Sequence, residues 1–146
     1  MNDPDPESRL GRAREWLVKA DDDLLNIDNN LMAARVPWDT LCFHAQQAAE
    51  KTLKAILVHD GINPPRTHDL IALLADCVLV RPELQSLQQD CSLLNVYSVA
   101  SRYPGTGIRA DEAIARRVIT AAIRVRNSTV IQIASQHPSP SDEDPS

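Results

Sequence analysis

The chain has 146 residues, is 43% hydrophobic with very few aromatic side chains (one Phe, two Trp, two Tyr), and carries a formal net charge of −5. No apolar run approaches the ~18 residues needed to cross a bilayer, and the acidic N-terminus lacks the basic-then-apolar pattern of a signal peptide, so a cytoplasmic protein is expected. Cys42, Cys77 and Cys91 are odd in number, widely spaced and without a CxxC pair, which argues against a zinc site or a disulfide framework and for free thiols in a reducing compartment.

The acidity is misleading about the part that folds. Six of the twenty acids, Asp3, Asp5, Glu7, Asp142, Glu143 and Asp144, lie at the two ends of the chain, leaving fifteen basic against fourteen acidic side chains over residues 8–134. From Arg81 onward the folded part holds seven arginines against four acids. That balance admits an anionic partner such as a nucleotide or RNA, without the dense basic stripe of a dedicated nucleic-acid binder.

In chain order, residues 1–7 contain two prolines and no apolar periodicity and read as a flexible arm. A first helix is predicted from Ser8, as N-cap, to about Ala34, with Trp16, Ala20, Leu24, Ile27 and Leu31 on one face. Asp21, Asp22 and Asp23 stand in its middle. Consecutive helical residues diverge by ~100° and cannot converge on one ion, so these acids read as a solvated face rather than a metal site. After Pro37, residues 38–61 form the best helix in the chain: no internal proline, a terminal glycine, and an apolar arc that includes Leu41, Ala45, Ala48, Ala49, Leu53 and Ile56. The small alanines allow neighbouring helices to approach closely, which makes this the central helix of a bundle. Gly61 to Arg66 is a loop by composition. Thr67 is placed to cap a third helix with Asp69 in its first turn. A fourth helix is expected from Pro82 to about Val99 and a fifth from near Asp111, the latter apolar over a wide arc. Residues 135–146 form an acidic tail that reads as disordered. The fold class is therefore all-α, an up-down bundle of about five helices occupying 8–134.

No phosphate-binding glycine loop, GxSxG, HExxH or carboxylate pair of catalytic spacing is present. The polar candidates are His44, Gln47, Lys51 and Lys54, which share one stripe of the central helix, with His68, Arg102 and Tyr103. A phosphate could sit between Lys51 and Arg102 with a base on Tyr103, since lysine supplies a point charge and arginine a bidentate fork. Each has a plainer reading: Glu50 and Lys51 as solvated surface, Arg102 bonding helix carbonyls, Tyr103 packing under a loop. His59, at a helix end, reads as a dipole partner. His68 is expected to sit near Val58, because the start of a third helix lies beside the end of the second in an up-down bundle.

The run Phe43–Leu57, FHAQQAAEKTLKAIL, followed by Arg66-Thr67-His68-Asp69-Leu70 and then Ser101-Arg102-Tyr103-Pro104, resembles the HEPN domain family in order and spacing over about residues 8–134. The resemblance implies one of two activities. Some HEPN proteins are metal-independent ribonucleases with an Arg-x(4–6)-His motif, and this chain departs from them: no histidine follows Arg102 at that spacing. Others resemble the small subunit that accompanies a minimal nucleotidyltransferase, binding nucleotide or substrate for it or forming a toxin–antitoxin pair. The AEK helix, THDL turn and RYP segment place this chain with the second group. The expectation is a module of that kind that needs no cofactor or metal and forms a homodimer through surplus apolar surface on its last helix. An RNA-cleaving toxin with an unconventional site and a purely structural adaptor are the alternatives.

Overall fold

The computed structural model describes residues 5–98 and 109–134, with the side chains of the last helix described as far as residue 128. The described residues are all helical or irregular: α1 (Pro6–Leu31), α2 (Trp38–His59), α3 (Leu70–Val80), a 3-10 turn (Pro82–Leu87), α4 (Gln88–Asn95) and α5 (Glu112–Ala134). This is the expected helical bundle, and α2 is its centre: α1, α3, α4 and α5 all pack on it.

Alternation of small and large side chains explains that position. Ala45, Ala48, Ala49 and Ala55 of α2 are fully buried beside Leu41, Leu53, Ile56 and Leu57, so neighbouring backbones come close over the alanines while the leucines fill the gaps between. α5 answers with Ala115, Ala121 and Ala122 around Val118 and Val125. As far as residue 128, the apolar arc of α5 is thereby taken up within one copy of the chain, and Ile123 is its one large exposed apolar side chain among the described residues. The exposed apolar side chains lie mainly elsewhere, with Val18 and Leu25 on α1 and Met32 just beyond it.

Helix ends depart from expectation in instructive ways. α1 is capped by Asp5, whose carboxylate accepts from the Ser8 N–H at 2.8 Å, with Pro6 in the first turn; it ends at Leu31, not Ala34. The cap of α3 is Asp69, which accepts from the Ile71 N–H at 3.0 Å, while Thr67 Oγ1 takes the Asp69 N–H two positions earlier. Asn95 at the end of α4 adds a second fastening: its Oδ1 accepts from the Leu70 N–H and its Nδ2 donates to Asp69. Thr67 therefore shapes the turn and Asp69 holds the helix. α2 does end at glycine. Gly61 has φ of +81°, and the pair of bonds Gly61 N–H to Val58 O and Ile62 N–H to Leu57 O closes a Schellman turn, a backbone conformation that costs glycine little.

The fourth expected helix is broken in two. Pro82 opens a 3-10 turn and the α-helix starts only at Gln88. In the tighter winding residues three apart lie in line, so Leu84 and Leu87 both reach the core, and Cys91 and Leu94 continue it after the change of pitch. Val99 lies outside the described residues. α5 begins one residue after Asp111, which accepts from the Ile114 N–H at 2.8 Å. All three cysteines are buried and free, and burial pushes each thiol up to about 12, so none is a nucleophile at neutral pH. No described helix is long and apolar enough to cross a membrane.

Candidate functional site

The polar arc of α2 is not solvated. α1 lies across it, and the most buried residues of α1, Ala13, Ala20 and Ile27, recur every seven positions with Asp23 between the last two. Asp23 is thereby carried into the interface, 8% exposed, and its two oxygens reach His44 Nδ1 at 2.9 Å and Lys51 Nζ at 2.6 Å. The reading of all three acids as a solvated face fails for Asp23. They do diverge as helical geometry requires: Asp21 points to α5, where Arg126 grips it at 2.9 and 3.0 Å, and Asp22 is exposed.

A second carboxylate organises the rest of the stripe. Glu50, 4% exposed, accepts from Lys54 Nζ at 3.1 Å through one oxygen and meets His68 Nδ1 at 2.8 Å through the other. Gln46 donates to the His68 carbonyl at 3.0 Å, and Gln47 donates to Gln46 Oε1 at 2.8 Å. Lys54 is itself buried, with its ammonium 5.6 Å from the Trp16 ring, whose other cation neighbour is Lys19. Glu50 and Lys54 are thus interior groups of the α1–α2 interface, and α1 covers them as it covers Asp23.

His68 is not at the Val58 end of α2. Its contacts place it level with Gln46 and Glu50. The physical reason is the connection: residues 60–69 contain Pro64 and Pro65, which keep the chain extended, and ten extended residues span up to ~33 Å. The segment therefore has ample length to run back along α2 before α3 begins. His59, expected as a dipole partner, instead joins Asp60 at 3.1 Å and Arg81 at 3.4 Å beneath the end of α2.

Of the seven candidates from sequence, His44 and Lys51 meet on Asp23, and Gln47, Lys54 and His68 meet around Glu50; Arg102 and Tyr103 lie outside the described residues. The two organising carboxylates were missed. For Asp23 the signal was its place inside the Ala20–Ile27 spacing; for Glu50 it was the i, i+4 series Gln46–Glu50–Lys54. The chemistry follows from the pairing. Both lysines already hold a carboxylate, so the ridge is balanced in charge and offers no uncommitted ammonium to a phosphate. An ionised carboxylate only accepts, so the contact with Glu50 places a proton on His68 Nδ1 and leaves Nε2 as the ring nitrogen turned outward. The His68 side chain is 57% exposed, and Nε2 has no partner among the described residues.

Helices packed on a buried central helix, with a carboxylate-anchored histidine at the rim, define an all-α domain that presents a fixed polar ridge. Residues 13–132 match the HEPN domain model, and the chain belongs to the HEPN domain family. Its fold is similar to the crystal structure of an archaeal HEPN homologue, 27% identical, with a TM-score of 0.64 over 83% of this chain and 97% of the other. No curated protein matches.

Proposed function

We propose that this HEPN domain is a binding module that accompanies a minimal nucleotidyltransferase and holds a nucleotide or a substrate group for it, with the exposed rim of the α2 ridge, His68 beside the partly exposed His44 and Gln47, as the surface that docks the partner. The observation that supports this reading is the Glu50–His68 contact. A buried carboxylate on the central helix of the bundle fixes the orientation of an exposed imidazole, which turns the THDL turn into a defined hydrogen-bonding feature. Around it, Asp23 and Glu50 balance Lys51 and Lys54, so the ridge suits a polar docking surface better than a grip on a polyanion. Gln47 and His44 complete it, both partly exposed. A two-fold homodimer belongs to the same reading. Among the exposed apolar side chains, Val18, Leu25 and Met32 stand seven residues apart along α1 and its end and offer one such face, while Leu79, Val80, Val96 and Ile123 lie on other elements.

The test is co-expression with any minimal nucleotidyltransferase that is encoded beside this gene. The two chains are expected to co-elute as one complex, and His68→Ala is expected to weaken the association by roughly tenfold, the loss of one well-oriented polar contact. Separate elution, or the absence of such a neighbouring gene, contradicts the partnership; unchanged association of His68→Ala contradicts the placement of the surface.

A further inference from the structure

Of the four arginines of α5, Arg126 faces α1 through Asp21, and the other three stand apart from it. Arg116, Arg117 and Arg124, with Asp90 and Leu93 of α4, line a groove of about 430 Å³. Arg116 and Arg124 are eight residues apart, which spaces their guanidiniums along ~12 Å of one helix face.

Two of the three guanidiniums already hold carboxylates. Asp90 takes Nε and Nη2 of Arg124 at 2.7–3.1 Å, and Glu112 takes Nε of Arg116 at 2.9 Å. The Nη groups of Arg116 and Nη1 of Arg124 have no partner among the described residues, so each fork is oriented yet retains donors. Arg117 is exposed and makes no ion pair among the described residues. Three guanidiniums therefore face one lining carboxylate and a second at the rim, a surplus of positive charge that the α2 ridge lacks.

The chain carries a complement to that surplus. Asp142, Glu143 and Asp144 are three consecutive acids, and no Lys or Arg follows Arg126 to balance them. Their reach is sufficient. At ~1.5 Å per helical residue, Arg124 lies ~15 Å and Arg117 ~26 Å back from Ala134, the last residue of α5. At the ~3.1 Å per residue of an extended proline-rich chain, Asp142 is up to ~25 Å from Ala134 and Asp144 up to ~31 Å. All three acids can turn back to Arg124, and Asp144 can reach Arg117.

We infer that the acidic segment Asp142–Asp144 docks in the α4–α5 groove of its own chain. Asp90 and Glu112 show that these arginines take carboxylates side-on, and the remaining donors suit more of the same group. Leu93 gives the groove an apolar patch against which Pro140 or Pro145, on either side of the acids, can pack. A single exposed ion pair is weak. Three on one short tether act at an effective concentration on the order of millimolar, which a separate acidic peptide does not have. The inference goes beyond the partnership reading, because it requires neither the second protein nor the α2 ridge.

A nitroxide attached to Ser141→Cys in the full chain tests it. The three native thiols are buried and pushed up to about 12, so the label goes to the added cysteine. The amide signals of Asp90, Arg116 and Arg117 are expected to broaden, and to recover when the nitroxide is reduced. High salt is expected to abolish the broadening, since the contacts are exposed ion pairs. Arg117→Glu is expected to abolish it too, with the rest of the amide spectrum unchanged, and Arg117→Glu combined with Asp144→Lys to restore it. Broadening that is equal with and without Arg117→Glu, or confined to the last turns of α5, overturns the assignment. So does broadening passed from a labelled chain to an unlabelled one in a mixture, which would place the segment on a second copy.

Discussion

Glu50→Ala is expected to destabilise the domain by about 3–5 kcal/mol, the cost of stranding one member of a buried ion pair. The carboxylate is 5% exposed and Lys54 10%, at the centre of the α1–α2 interface under Trp16. Without Glu50 the ammonium has lost its hydrogen-bonded countercharge, and Gln46, Gln47 and His68 lose the group they surround. Removing both charges is a different experiment. Glu50→Leu combined with Lys54→Met replaces the pair by apolar groups of similar volume and is expected to recover most of the loss. Denaturant unfolding followed by circular dichroism measures both. A loss below about 1 kcal/mol in the single variant would mean that Lys54 swings out to water when released, and the description of Glu50 as an interior organiser would fail.

The second large effect lies at the C-terminal end of α2 and depends on pH. Asp60, just past α2, receives two hydrogen bonds from Arg81, just past α3: Nε to Oδ2 at 2.7 Å and Nη2 to Oδ1 at 2.8 Å. Both side chains are buried. Burial pushes the Asp60 carboxyl up, but the hydrogen bonds from Arg81 and His59 and their positive charge together outweigh it, and the net displacement is below the ordinary value of 3.8. The carboxyl therefore binds its proton more readily in the unfolded chain than in the fold. Its contribution to stability is complete above the unfolded value and is lost as pH falls through the lower, folded one. The stability difference between wild type and Asp60→Asn is expected to be constant from neutral pH down to about pH 5 and to shrink below about pH 4. Arg81→Ala is expected to cost about 3 kcal/mol at neutral pH and to flatten the same acid limb. A difference between wild type and Asp60→Asn that stays constant down to pH 2 contradicts the pairing.

The apolar half of the architecture was legible because it is periodic. Leu41, Ala45, Ala48, Ala49, Leu53 and Ile56, named from the apolar arc of residues 38–61, are all buried, since one helix with alanines every three or four residues has few ways to pack. Caps were legible only to within a few residues: Asp5 and Ser8, or Thr67 and Asp69, are equally capable oxygen donors to a helix start, and tertiary fastening such as Asn95 decides between them. The change from 3-10 to α winding at Gln88 left no mark, because repeats of three and of 3.6 differ little over six residues. The site was half legible. His44, Gln47, Lys51 and Lys54 were read correctly as one stripe, but a wheel drawn for one helix cannot show that another helix covers its polar side. Asp23 and Glu50 therefore passed as surface, although each is the hub of its cluster. The position of His68 was missed for a related reason: the Pro64–Pro65 connection carries the chain back along α2, whereas a short loop would have left it at the helix end.

We propose that this HEPN domain binds and presents rather than cleaves RNA. Incubating the purified chain with single-stranded RNA in the presence of EDTA tests that most directly. RNA is expected to stay intact over hours with wild type and with His68→Ala alike, because among the described residues no arginine is in contact with His68 to stabilise a phosphate transition state. Metal-independent cleavage by the wild type that disappears in His68→Ala and in Glu50→Gln would contradict it, and would make the carboxylate-anchored imidazole an acid–base catalyst.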